Sequence, residues 1–229
     1  MILILLFVSC NNKEKAEEYF IEAQAKSDLG NYDEAIKDYN KAIEIDPGYS
    51  EAYTYRGIAK DIREYNQGAM ADFNKAIEID PDYSIAYKNR GNIKHKLGDF
   101  HGAIEDYNNA IKIDPDYWRA YNGRGIAKNN LKDYQGAMVD LNKAIEINPK
   151  YSIAYKNRGK VKFNLYDYVG AIADYNKAIK IYPNYSIAYK NRGKVKLKIK
   201  DKKGACLDWS KAGELGDSEA YKLIRKHCN

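Results

Sequence analysis

The phrase Tyr-Ser-Ile-Ala-Tyr-Lys-Asn-Arg-Gly occurs letter for letter at 83–91, 151–159 and 185–193. Looser copies at 49–57 and 117–125 fill the gaps, so five copies start at a constant step of 34 residues. Pro47, Pro81, Pro115, Pro149 and Pro183 keep the same step and are the only prolines present. A fixed period of this length makes the chain a row of like modules, each too small to bury its apolar face without its neighbours. Six modules fit, at 16–49, 50–83, 84–117, 118–151, 152–185 and 186–216, leaving 217–229 as a tail.

Each module carries two helical patterns. In the second half of the first, Ala35, Ile36, Tyr39, Ala42 and Ile43 fall at i, i+1, i+4, i+7 and i+8, one face of an α-helix. Ala103 to Ile111 and Ala171 to Ile179 repeat it. The first halves show a stripe of Tyr87, Gly91, Ile93 and Leu97, repeated as Tyr155, Gly159, Val161 and Leu165. Asn31, Asp99, Asp133 and Asp167 stand where a side chain can cap the second helix. Each Pro is expected to stop that helix and to open the next within its first turn. In the second module Ile62 and Tyr65 lie one residue early relative to Leu131 and Tyr134, which predicts a reshaped turn. With 22 Tyr and 5 Phe, the aromatic surface consists mainly of rings with a polar tip.

A 34-residue helix-turn-helix unit with Tyr87, Gly91, Phe100, Ala103, Tyr107, Ala110 and Pro115 at these spacings resembles the tetratricopeptide repeat, over residues 16 to about 215. The resemblance implies an all-α fold: a right-handed superhelical solenoid of six helix-turn-helix units. Residues 217–229, with a cap at Asp217 or Ser218 and apolar Ala220, Tyr221 and Ile224, read as a helix closing the open end. Gly91 and Ala103 are expected to let paired helices approach, and a bulky residue at Gly159 to overpack them.

Two charged columns run through the repeats. Arg56, Arg90, Arg124, Arg158 and Arg192 precede the small Gly, and Asp38, Asp72, Asp106, Asp140, Asp174 and Asp208 lie in the second helix. The first repeat has Glu22 in place of Arg. Pairing each Asp with the Arg of the following repeat would spare Asp38 a like-charged neighbour, and that arrangement is expected.

At the N-terminus, Ile2 to Val8 is an unbroken apolar run, shorter than the roughly 20 residues that span a bilayer. Followed by Ser9, Cys10 and the polar tether 10–15, it resembles a bacterial lipoprotein signal peptide at 1–9, with Cys10 as the lipid attachment site. Phe7 stands where Leu is usual, and no Lys or Arg precedes the run. The resemblance implies a lipid-anchored protein of the cell envelope; the alternative is a cytoplasmic one. Cys10, Cys206 and Cys228 lie far apart without a CxxC pair, which reads as neither a disulfide framework nor a zinc site. His95, His101 and His227 lack metal-ligand spacing.

The formal charge of +6 hides an asymmetry: residues 1–83 hold 9 basic and 17 acidic side chains, and residues 84–229 hold 29 and 15. No nucleophile with its base, phosphate loop or metal cluster is visible, so no catalysis and no cofactor are expected. The resemblance implies a protein-binding groove lined by the first helix of each repeat. Carried over residue by residue, that groove includes Lys88 and Asn92, then Arg119, Asn122 and Ile126. Lys156, Lys160 and Phe163 follow, with Ile153, and then Lys190, Lys194 and Leu197, with Ile187. Its basic and apolar mixture fits an acidic amphipathic peptide or helix of another protein. Gly123 and Ile153 depart from the pattern of a chaperone-tail clamp. Two alternatives are nucleic-acid binding through Lys190–Lys203, where eight basic residues accompany one Asp, and self-association of acidic and basic ends. Envelope assembly or secretion is an expectation by analogy with lipoproteins carrying such repeats.

Overall fold

The computed structural model describes the backbone of residues 2–228 and the side chains of residues 12–228. The expected signal segment 1–9 and the expected attachment site at Cys10 therefore lie outside the residues with described side chains. Among the described residues the secondary structure is thirteen α-helices. Repeats 1 to 3 form α1 (Ile2–Asp28), α2 (Tyr32–Ile45), α3 (Ser50–Ile62), α4 (Asn66–Ile79), α5 (Ser84–Lys96) and α6 (Phe100–Ile113). Repeats 4 to 6 form α7 (Trp118–Asn130), α8 (Tyr134–Ile147), α9 (Ser152–Asn164), α10 (Tyr168–Ile181), α11 (Ser186–Lys198) and α12 (Lys202–Glu214). The last helix is α13 (Ser218–His227). The chain is an all-α repeat solenoid that divides into two compact units, Met1–Pro115 and Asp116–Asn229. The polar stretch 10–15 belongs to α1. No described helix is long and apolar enough to cross a membrane.

Within each unit the core is built from alanines around one large residue per repeat. Tyr39, Phe73 and Tyr107 in the first unit, and Leu141, Tyr175 and Trp209 in the second, are buried in the second helices, flanked by alanines such as Ala35, Ala69, Ala137 and Ala171. Small partners let the helices approach. A β-carbon on Gly159 would lie 3.0 Å from Tyr175 and 3.3 Å from the Ala171 carbonyl, and one on Gly91 would lie 3.0 Å from Tyr107 and 3.2 Å from the Ala103 carbonyl. Successive repeats join through the next first helix: Ile93 packs on Ala69 and Phe73, Val161 on Ala137 and Leu141, and Val195 on Ala171 and Tyr175. Leu97 and Leu165 depart from the expected stripe. They follow the last helical residue and are exposed.

Local chemistry explains the turns, and it corrects three expectations. Asp99, Asp133, Asp167 and Asp201 each accept a hydrogen bond from a glycine N–H three residues on, whereas Asn31 makes no side-chain cap. The prolines do not open helices. Pro47 follows the C-cap Asp46, whose carboxylate accepts from the Gly48 N–H at 3.0 Å, and α3 begins at Ser50. An Asx turn thus intervenes between stop and start. The second repeat's turn also keeps its shape. Glu64 has φ 63°, like Lys132, so the shifted Ile62 and Tyr65 change the side chains and leave the backbone alone. In every repeat this turn residue has positive φ: Gly30, Glu64, Gly98, Lys132, Tyr166 and Lys200.

The charged columns pair differently from expectation. Arg56 binds Asp72, Arg90 binds Asp106, Arg124 binds Asp140, Arg158 binds Asp174 and Arg192 binds Asp208, always within one repeat and always through two nitrogens. The link to the preceding repeat is a bond to Asn: Arg56 to Asn40, Arg90 to Asn74, Arg158 to Asn142 and Arg192 to Asn176. Each Asp also meets a lysine four residues after the Arg position: Lys60, Lys94, Lys128, Lys162 and Lys196. In the first repeat Lys26 and Lys41 engage Asp38, so Asp38 keeps its cations where Glu22 replaces the Arg.

A further correction concerns the cysteines. Cys206 of α12 and Cys228 beyond α13 form a disulfide with Cα atoms 5.8 Å apart. Two helices bring together residues separated by 22 positions.

Candidate functional groove

In the second unit, α7, α9 and α11 line a cavity of about 500 Å³. Lys156, Lys160 and Phe163 from α9 and Lys190 and Lys194 from α11 all reach it, together with Ile126 and Ile187. One helical turn separates Lys156 from Lys160 and Lys190 from Lys194, so both lysines of each pair stand on one face. Asparagines stitch the floor. Asn157 donates to Asn122 at 2.8 Å, and Asn164 donates to Asn129 at 2.9 Å, joining α9 to α7.

The two lysine pairs differ in their surroundings. Lys190 lies 2.8 Å from Asp217 and 2.9 Å from Glu219, and Lys194 lies 3.0 Å from Glu219. Burial pulls the Lys190 ammonium down, but the hydrogen bonds it donates to Asp217 and Glu219 outweigh it and raise its pKa. Among the described residues Lys156 has no such carboxylate. Burial, with the charge of Lys160 added, pushes its pKa down to about 8. A cation taken out of water without a counter-charge is the cost that an incoming anion would relieve.

Other expected groove residues do not line this cavity. Lys88 donates to Asn89, and Asn92 accepts from the Tyr107 hydroxyl; both belong to the first unit. Arg119 stacks over Trp118 at 3.7 Å. Asn122 is buried beneath Asn157, and Leu197 packs against the cluster around Trp209. Within the basic run from Lys190 on, Lys190, Arg192, Lys194 and Lys196 are all held in ion pairs.

Asn129, Asn157, Asn164, Asn191 and Glu219 also line the cavity and escaped sequence reasoning. A signal existed for two of them, since Asn157 and Asn191 occupy the same place in the repeated phrase. Glu219 carried one too: Ser218-Glu219-Ala220-Tyr221 matches Ser50-Glu51-Ala52-Tyr53.

Comparison with known proteins places this architecture. The family described as TPR repeat matches residues 23–60, 64–98 and 91–131, and the one described as Tetratricopeptide repeat matches 118–151. The Protein SGT1 homolog of Oryza sativa subsp. japonica is 54% identical over 44 residues, which is 19% of this chain and 12% of that protein. Among solved structures, the APC/C hetero-tetramer Cut9-Hcn1 superposes with a TM-score of 0.87 at 18% identity, over 98% of this chain and 46% of that one. PilW, a widely conserved type IV pilus biogenesis factor, gives 0.83 at 17% identity, over 91% of this chain and 98% of that one. Identities this low show the fold alone. With family descriptions covering residues 23–60 and 64–151 and the same repeat geometry continuing through α12, the chain belongs to the tetratricopeptide repeat family.

Proposed function

We propose that this protein is a non-enzymatic adaptor whose second unit binds an acidic amphipathic segment of another protein. The observation that carries this reading is Lys156, half-buried in the groove beside Lys160 with no carboxylate at salt-bridge distance among the described residues. A partner carboxylate would supply the missing counter-charge, and apolar side chains of the same segment would meet Ile126, Phe163 and Ile187. The asparagines around the lysines offer amide donors and acceptors to an extended or helical backbone.

The test uses a fluorescein-labelled decapeptide of Glu and Leu, with a Lys and Leu decapeptide as control. The native protein should bind the acidic peptide alone, more weakly as salt rises. Lys156→Glu with Lys160→Glu should abolish binding while the circular dichroism spectrum is kept. Equal affinity in native and doubly substituted protein would contradict the proposal.

We also place the protein in a bacterial cell envelope, anchored through Cys10, in assembly or secretion. The apolar run 2–8 ending at Ser9-Cys10 supports this, and so does the Cys206–Cys228 disulfide, a bond that persists in oxidising compartments. Cys10→Ser should move the protein from the membrane fraction to the soluble one; identical fractionation of both forms would remove the anchor.

A further inference from the structure

The last helix is more than an end cover. In sequence it opens as a first helix of a repeat, with Ser218-Glu219-Ala220-Tyr221 standing where Ser186-Ile187-Ala188-Tyr189 stands in the sixth repeat. Ala220 is fully buried, as Ala188 is. The one change of character is Glu219, since the fifth and sixth repeats carry Ile153 and Ile187 at that position. Lys190 and Lys194 likewise stand 34 residues after Lys156 and Lys160. The two lysine pairs are therefore equivalent in the repeat, and the chain's own carboxylates hold the later one.

We propose that Glu219 is a built-in competitor for the acidic partner, holding the Lys190–Lys194 seat of the groove and kept there by the Cys206–Cys228 bridge. This rests on the acidic-segment function proposed above. Several contacts position the competitor. Ala220, Leu223 and Ile224 of α13 pack on the cluster of Trp209 and Ala212, and the Tyr221 hydroxyl donates to the Gly213 carbonyl at 3.0 Å. The disulfide then ties the far end of the helix to α12. At the near end, Asp217 caps α13 through the Glu219 and Ala220 N–H groups and also pairs with Lys190. The Glu219 side chain remains 53% exposed, so a carboxylate arriving from solvent can reach the same lysines. Lys190 and Lys194 hold its carboxyl down to about 2, which keeps it charged wherever the partner's carboxylates are charged. A partner with acidic residues for both seats must displace Glu219 at the second, and one with a single acidic cluster meets Lys156 and Lys160 alone.

The test measures affinity for the fluorescein-labelled Glu and Leu decapeptide in the full chain. Glu219→Gln removes the competing charge and keeps the shape. Glu214→Gln is the control, because Glu214 pairs with Lys211 on the exposed side of α12 and makes the same change in net charge. Glu219→Gln should tighten binding by about fivefold, as expected when a competing occupant of a site is removed, and Glu214→Gln should leave it unchanged. Cys228→Ser should shift affinity in the same direction as Glu219→Gln. Equal affinities for the Glu219 and Glu214 variants would overturn the proposal, and an unshifted Cys228→Ser would overturn the role of the bridge. If no form binds the peptide, the acidic-segment function fails, and acetic anhydride labelling read by mass spectrometry still judges the Glu219 contact. Lys190 should then acylate faster in Glu219→Gln than in the native protein, and equal rates would overturn the contact's hold.

Discussion

Asp140 is buried with a side chain 1% exposed, and it accepts from Arg124 at 2.5 and 2.9 Å with Lys128 at 2.8 Å. Two cations on one carboxylate make its loss worse than the loss of either cation. Asp140→Asn should destabilise by about 3 to 5 kcal/mol, the range for breaking a buried pair from the side that leaves uncompensated charge. Arg124→Ala should cost about 2 kcal/mol, because Lys128 still neutralises Asp140 and hydrogen bonds to charged groups are worth about 1.5 to 3. Arg124→Lys should recover only part of this, since one ammonium cannot reproduce the two-nitrogen contact. Urea unfolding of the three variants checks the order, and an Arg124→Ala loss as large as that of Asp140→Asn would refute it. The identity of these columns was legible in the sequence, but their pairing was not. The exceptional Glu22 pointed to a cross-repeat partner, while the answer lay in a lysine present in all six repeats, from Lys26 to Lys196. Spacing alone does not fix which of two nearby columns a buried carboxylate faces.

At the scale of helices and turns, the period carries most of the information. Apolar positions at helical spacing fixed the buried faces because the core of each repeat is local, made of Ala and one large side chain. The turn between paired helices is equally regular, with a positive φ at Gly30, Glu64, Gly98, Lys132, Tyr166 and Lys200. A side chain with a β-carbon costs energy there, roughly 1 to 2 kcal/mol. Glycine is already the natural occupant in two repeats. Lys132→Gly should therefore stabilise the protein by about 0.5 to 1 kcal/mol, after the larger unfolded-state entropy of glycine is set against the relief. Thermal unfolding measures this, and a lower Tm would show that Lys132 makes a compensating contact. The disulfide escaped sequence reasoning for a plain reason. Its two cysteines are isolated in the chain and meet only because α13 folds back along α12, a geometry that a truncated last repeat does not announce.

Over the whole molecule, the repeats of the second unit share one backbone plan and differ in what they present to the groove. The basic character of that groove was legible from Lys156, Lys160, Lys190 and Lys194. The distinction between the pairs was not, because it depends on Glu219 in a helix that reads as a simple end cover. In the proposed function Lys156 and Lys160 receive a partner's carboxylate. Lys156, pushed down to about 8 by burial first and Lys160 second, gives that binding a pH signature. Below pH 8 the free groove already holds the proton that a bound carboxylate requires. Above it, binding must take a proton up, and affinity falls by up to about tenfold per pH unit. The direct measurement is the affinity of the Glu and Leu decapeptide from pH 6 to pH 10. The profile should be level to about pH 8 and decline beyond it, a decline that Lys156→Met abolishes; an affinity unchanged to pH 10 in the native protein would rule out Lys156 as the receiving cation.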